Sequence, residues 1–167
     1  MWFRIGSMCT SSWIDRTVQP WHTNVGKRVV KRPKVYIRDS GLLHALLGIR
    51  DLESLLGNPI VGASWEGFVM QQIIACVPSG VSVHYPRTYG GAGVDIVLAL
   101  PGGKLWAIEV KRSTKPSPRR GFHEAISDIK PSRSIVVYAG TERQTLRESI
   151  EVMSLMDLIR EIQKAVQ

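Results

Sequence analysis

The sequence predicts an α/β domain in which a mixed β-sheet is flanked by α-helices. Three observations carry this. Segments of strand composition alternate with segments of helical periodicity along most of the chain. The strands of its middle third lie close enough in sequence to pair as an antiparallel meander. The run Ser134-Ile135-Val136-Val137-Tyr138 is apolar on both faces, as an interior strand must be. A chain of 167 residues, 44% of them hydrophobic, can bury one continuous core, so a single domain is expected.

Residues 1–19 show neither helical nor strand periodicity and are read as an irregular lead-in, with the domain occupying residues 20–167. Val35-Tyr36-Ile37 then reads as a short strand. Asp39 or Ser40 caps a helix whose Leu42, Leu43, Leu46 and Leu47 recur at helical spacing, and Gly48 ends it. After a polar link, Ser64 is expected to cap a second helix running to about Cys76, which puts Glu66 in its first turn. The meander follows: Val81 to Tyr85, a glycine-rich turn at Tyr89 to Gly93, Val94 to Leu100, the turn Pro101-Gly102-Gly103, and Lys104 to Lys111. Two prolines stop the segment Thr114 to Arg120 from continuing a strand, and a helix is expected around Phe122 to Ile129. Beyond the interior strand, a short strand at Glu151 to Met153 precedes a helix from about Ser154 with Leu155, Leu158, Ile159 and Ile162 on one side.

The 22 Lys and Arg outnumber the 14 Asp and Glu, a net charge of +8 that favours a polyanionic partner, nucleic acid ahead of anionic membrane. Much of the excess sits in Lys27 to Lys34 (KRVVKRPK) and Lys111 to Arg120 (KRSTKPSPRR), which equally serve as solvated loops. Cys9 and Cys76 form no CxxC pair and have no histidine at ligand spacing, so a disulfide framework and a zinc site are not indicated, and a reducing cytoplasm fits. No apolar run approaches the ~20 residues of a membrane span, and no secretion signal is expected. A nucleotide-binding phosphate loop is missing, since Asn24-Val25-Gly26-Lys27-Arg28 lacks the first glycine and the hydroxyl, and so is a serine nucleophile elbow.

One constellation carries chemistry. Strand alternation from Lys104 to Lys111 puts Leu105, Ala107, Glu109 and Lys111 on one face and Trp106, Ile108 and Val110 on the other. A carboxylate and an ammonium on a strand buried on both sides need partners, because an unpaired buried charge costs several kcal/mol. Pairing around Pro101-Gly102-Gly103 brings Asp95 close to Glu109. Two adjacent carboxylates repel, and a hard cation such as Mg²⁺, or Mn²⁺, relieves that repulsion while keeping waters for chemistry. Lys111 is then placed to orient or deprotonate an attacking water, or to stabilise charge on a phosphate. Glu66 is a candidate third carboxylate, and Arg87, Lys115, Arg119 and Arg120 are candidate phosphate contacts. Plain alternatives stay open: an ion pair of Glu109 with Lys111 or Arg112, a helix-dipole role for Glu66, and a solvated turn for Arg87. The scattered His22, His44, His84 and His123 read as surface or packing residues.

An ordered set of motifs now becomes recognisable: Lys34-Val35-Tyr36-Ile37-Arg38-Asp39-Ser40-Gly41-Leu42-Leu43-His44, Trp65-Glu66-Gly67-Phe68, Val94-Asp95-Ile96-Val97-Leu98, and Leu105-Trp106-Ala107-Ile108-Glu109-Val110-Lys111-Arg112-Ser113. From about residue 20 to 160 the chain resembles the C-terminal domain of unknown function that follows the AAA+ module in prokaryotic ATPases. The resemblance implies a restriction-endonuclease-like fold in which Glu66, Asp95, Glu109 and Lys111 match the nuclease signature. It also implies an AAA+ ATPase module as partner. Gly93 stands where the family has an acidic residue, and the ATPase and winged-helix segments expected before this domain are not in this sequence.

Two functional expectations follow. In one, the domain is a Mg²⁺-dependent phosphodiesterase acting on DNA, with Asp95, Glu109 and the Val110 carbonyl at the metal and Lys111 beside the water. In the other, it is a non-catalytic nucleic-acid-binding or regulatory module of an ATPase. A pure protein-interaction domain would leave the charge of +8 unexplained.

Overall fold

The computed structural model describes residues 14–21, 34–85 and 93–165. Strand β1 (Asp15–Val18) pairs antiparallel with β2 (Lys34–Ile37), setting Arg16 opposite Tyr36. The described part of the supposed lead-in is therefore structured, and Val18 is buried in the core. The sequence hides this strand because Asp15-Arg16-Thr17-Val18 offers one apolar residue, too few to show a period of two.

Helix α1 (Ser40–Leu46) starts where Asp39 accepts the Leu42 N–H at 2.7 Å, and Gly48 follows it in the left-handed conformation at φ 70°. A short helix, α2 (Leu52–Leu56), capped by Asp51 on the Ser54 N–H at 2.7 Å, occupies the polar link, where no helix was expected. Helix α3 (Val61–Cys76) begins three residues before Ser64. Ser64 is not its cap. It lies buried inside the helix with its Oγ 2.7 Å from His44 Nε2, which ties α1 to α3. Glu66 consequently sits in the second turn, where the dipole explanation for an acid weakens.

The main sheet follows. Strands β3 (Ser82–His84), β4 (Ile96–Ala99) and β5 (Leu105–Lys111) form the expected antiparallel meander, with Ile96 opposite Ile108. The β4–β5 turn is one 3-10 turn at Pro101–Gly103, in which Gly102 and Gly103 both take φ 75°, a conformation costly for any residue with a Cβ. After β5 the chain crosses through α4 (Arg120–Ile129) to β6 (Arg133–Tyr138), which pairs parallel to β5. A two-residue strand, β7 (Gln144–Thr145), then leads to β8 (Ile150–Ser154), parallel to β6, and α5 (Leu155–Lys164) follows. Ser154 caps α5 on the Asp157 N–H at 3.1 Å and donates its hydroxyl to Asp157 Oδ2 at 2.8 Å. The strand order is β3-β4-β5-β6-β8-β7, a six-stranded mixed sheet.

Helices cover both faces. Val69, Met70 and Ile73 of α3 and Leu158 and Ile162 of α5 pack on Ile96, Leu98, Trp106, Ile108, Val110, Ile135 and Val137. On the other face Phe122 and Ala125 of α4 meet Val97, Ala107, Val136 and Val152. β5 and β6 therefore alternate between two apolar layers, which is why both read as buried on either side. Each fully buried Ile, Leu or Val side chain contributes about 1.5–3 kcal/mol.

The two ends of the parallel strands differ in chemistry. At the amino ends a closed ion network ties three elements together. Arg133 Nε donates to Glu151 Oε1 at 2.7 Å and its NH1 to Glu161 Oε2 at 3.2 Å, while Arg143 reaches both carboxylates at 2.9 Å. The Arg133 guanidinium also lies over the Trp106 ring, 4.4 Å from its centroid. The carboxyl end of β5 holds the candidate site. Among the described residues, no helix is long and apolar enough to cross a membrane.

Candidate functional site

The site is built where β5 leaves the sheet and β4, running the other way, enters it. In α/β sheets this carboxyl edge is where ligands gather. Glu109 is buried, only 2% exposed, on the face covered by α4. Lys111, two residues on and on the same face, brings Nζ to 2.7 Å from Glu109 Oε1. The Arg119 main-chain N–H points at both carboxylate oxygens, at 3.3 and 3.2 Å, and Arg119 Nε stands 3.6 Å from Oε1. The buried carboxylate thus has the charge partner and hydrogen bonds that offset its desolvation.

Asp95 arrives as expected but does more than line up with Glu109. One step beyond the Ile96–Ile108 pair the ladder slips, so that Asp95 donates its own N–H to the Ile108 carbonyl at 3.0 Å. Its carboxylate Oδ2 accepts the Val110 N–H at 2.8 Å, a side chain standing in for a strand. The slip changes which layer each residue meets: Val94 and Val97 both face the α4 layer, while Ile96 faces the other.

Glu66 is held by a residue that sequence reasoning missed. The Tyr36 hydroxyl on β2 donates to Glu66 Oε1 at 2.7 Å. Burial, followed by the negative charges of Glu66 and Asp95, pushes the Tyr36 phenol above its ordinary value, so it stays protonated and keeps donating. Trp65, beside Glu66, was also overlooked: its indole Nε1–H donates to the Lys111 carbonyl at 3.1 Å, joining α3 to the end of β5. The sequence signal for each was its place in a recognised motif, Tyr36 in Lys34-Val35-Tyr36-Ile37 and Trp65 beside the candidate acid in Trp65-Glu66-Gly67-Phe68, neither of which shows what the side chain bonds.

The end of β5 is thereby gripped three times, by Asp95 at the Val110 N–H, by Trp65 at the Lys111 carbonyl, and by Arg119 at the Glu109 side chain. Of the candidate residues, Glu109, Lys111 and Arg119 meet directly, Asp95 adjoins them through the Val110 backbone, and Glu66 meets Tyr36. Arg119 is 70% exposed, and Arg120, 93% exposed, bonds Glu124 at 2.9 Å. Lys115 is exposed and its main-chain N–H donates to Ser113 Oγ at 3.1 Å. Arg87 and most of the first basic cluster lie outside the described residues.

Among the described residues no group of three or more His, Cys, Asp or Glu side chains is placed to hold a metal ion. The donors that adjoin, Asp95 and Glu109, are hard oxygens. They fit a cation that takes one or two carboxylates and completes its shell with water and phosphate oxygens, as Mg²⁺ does. Glu109 has first to share or give up its bond to Lys111.

Comparison with known proteins places the chain. Over 141 residues it is 40% identical to an uncharacterized protein of Mycobacterium tuberculosis and, equally, to one of Mycobacterium bovis, matches that cover 84% of this chain. The matched region is 32% of each relative, so the chain spans about a third of the length of the curated relatives it matches. No solved structure matches significantly. Residues 7–53 match the model of a second family, described as domain of unknown function DUF8612. Residues 61–158, which carry Glu66, Asp95, Glu109 and Lys111, match the model of another, and the chain belongs to that family, the domain of unknown function DUF4143.

Proposed function

We propose that this domain engages nucleic acid, DNA first, at the carboxyl edge of its sheet and cleaves the phosphodiester backbone there with a divalent cation. The mixed sheet with helices on both faces is compatible with the restriction-endonuclease-like fold that the motifs imply. The observation that carries the reading is the pair of buried Glu109 and half-buried Lys111, 2.7 Å apart at the end of a central strand, with Asp95 on the next residue's amide. An acid, an acid and a lysine gathered at one strand end, in a chain of net charge +8, suit a polyanionic substrate.

In this reading Asp95 and Glu109 hold Mg²⁺ or Mn²⁺, with Glu66 as a further carboxylate. The bound cation supplies a Lewis acid and lowers the pKa of a coordinated water. Lys111, once released from Glu109, holds its ammonium toward the attacked phosphate and stabilises the charge developing there. Arg119, Arg120 and Lys115, at and before the start of α4, and Arg87 contact flanking phosphates and set the strand's position. The resemblance adds an AAA+ ATPase module as the partner, and the cysteine usage fits a reducing cytoplasm as the location.

A second reading is favoured by a specific observation. Both Glu109 oxygens already have internal partners in Lys111 and Arg119. A pair so satisfied also suits a non-catalytic nucleic-acid-binding or regulatory module of an ATPase, in which the constellation only fixes the end of β5.

Cleavage of single-stranded, duplex and branched DNA, with Mg²⁺, Mn²⁺ or EDTA, separates the two. The chain should cut only with metal, and Asp95→Ala and Lys111→Ala should lower the rate at least a hundredfold. A folded protein that binds DNA in a salt-dependent way but never cuts it supports the second reading instead.

A further inference from the structure

We infer that Tyr36 is a positioning residue of this site, holding Glu66 in place from a strand outside the part of the chain that carries the other site residues. The hydroxyl of Tyr36 meets Glu66 Oε1 at 2.7 Å. Tyr36 lies within residues 7–53, matched by one family model, whereas Glu66, Asp95, Glu109 and Lys111 lie within residues 61–158, matched by the other. The site is complete only when both segments are folded against each other.

Three consecutive residues of α3 make the seat. Trp65 turns toward β5 and donates to the Lys111 carbonyl at 3.1 Å. Glu66 turns toward β2 and accepts from Tyr36. Gly67 leaves the room the ring needs, since a Cβ there would lie 3.3 Å from Tyr36 Cδ1, tighter than ordinary contact. A carboxylate on a helix keeps rotamer freedom that costs free energy to freeze, and a half-buried phenol held by its own strand removes it in advance. Register supports the same assignment: β1 pairs with β2 from Asp15↔Ile37 to Val18↔Lys34, so Tyr36 sits inside the paired stretch and not at a fraying end. Because the tyrosine touches the carboxylate and not the reacting atoms, it acts through Glu66.

For its functional consequence the inference rests on the metal-site reading above, and the test keeps the two apart. The full chain, Tyr36→Phe, Gly67→Ala, Glu66→Gln and the double variant Tyr36→Phe/Glu66→Gln are compared by Mn²⁺ affinity, with thermal melting as the folding control. The ¹³C shift of the Glu66 carboxyl at neutral pH is followed in the variants that keep Glu66. Tyr36→Phe should move the Glu66 resonance and weaken Mn²⁺ binding roughly tenfold, the size of one hydrogen bond to a charged group. Gly67→Ala should act in the same direction but less. Placed on Glu66→Gln, which keeps an acceptor for the phenol but removes the charged carboxylate, Tyr36→Phe should change Mn²⁺ affinity far less than it does in the wild type, because no metal-binding carboxylate is left for the phenol to position. An unmoved Glu66 resonance, or equal Mn²⁺ affinity in wild type and Tyr36→Phe, overturns the role of Tyr36 while leaving the metal site standing. A wild-type chain that binds no Mn²⁺ while its Glu66 resonance shifts in Tyr36→Phe overturns the metal reading and keeps Tyr36 as the residue that positions Glu66.

Discussion

The main-chain N–H of Arg119 lies 3.3 and 3.2 Å from the two carboxylate oxygens of Glu109, so the residue that caps α4 is bonded to the end of β5. Arg119 has no side-chain cap of its own to offer, and Glu109 serves from ten residues away. A carboxylate near a helix amino terminus also gains from the helix dipole. The loop between β5 and α4, which carries Lys115 and the two prolines, is thus closed at both ends by one buried side chain and held beside Lys111.

The first prediction concerns that buried charge. Lys111→Met leaves Glu109 buried without its ammonium and should destabilise the domain by about 3 kcal/mol. Adding Glu109→Gln removes the remaining buried charge and should recover more than half of that. Urea unfolding of the two variants decides it. A single-variant loss of less than about 1 kcal/mol would show that the pair is not excluded from water as described.

Asp95 has two separable duties: its carboxylate accepts the Val110 N–H at 2.8 Å, and in the metal reading its charge holds the cation. Asp95→Asn keeps an acceptor oxygen and should melt near wild type, yet lose Mn²⁺ binding and any cleavage. Asp95→Ala leaves the Val110 amide unpaired and should cost about 1–3 kcal/mol as well. Equal destabilisation by both variants would contradict the backbone-capping role.

For the basic rim the readout is ionic strength. Removing one cation that neutralises a phosphate of duplex DNA should lower the slope of log K against log salt by about 0.9. Lys115→Ala, Arg119→Ala and Arg120→Ala should each flatten the slope by about that amount, without changing preference among sequences. Unchanged slopes in all three would move the nucleic-acid surface elsewhere on the domain.

At the opposite end of the sheet the ion network predicts acid sensitivity. The hydrogen bond from Arg133 holds the Glu151 carboxyl below the ordinary value of 4.5, and the hydrogen bond from Arg143 does the same for Glu161. The unfolded chain therefore takes up these protons at higher pH than the folded one. The stabilisation is complete above about pH 4.5 and is lost as pH falls through the lowered folded values. Urea midpoints at pH 7, 4 and 3 should drop more steeply for wild type than for Glu151→Gln/Glu161→Gln. Parallel curves would sink the assignment.

Local chemistry made much of the fold legible. The β-meander, its Pro101-Gly102-Gly103 turn, the interior strand at Ser134 to Tyr138, a helix capped at Asp39 or Ser40 and another starting near Ser154 all announce themselves within a few residues, because period, turn conformation and capping are properties of short windows. The nearness of Asp95, Glu109 and Lys111 was legible for the same reason, since they flank one tight hairpin. What no window contains was decided by the folded chain. Ser64 looked like a cap and became a buried partner of His44. Asp15 to Val18 looked irregular and became a strand because β2 was there to pair with it. Tyr36 on Glu66, Trp65 on the Lys111 carbonyl and Arg119 on Glu109 join residues 30, 46 and 10 positions apart. Sequence alone determined which side chains could do chemistry; the packing of α3, β2 and α4 around the end of β5 decided which of them touch, because side-chain hydrogen bonds between distant segments exist only once the core has fixed their distances.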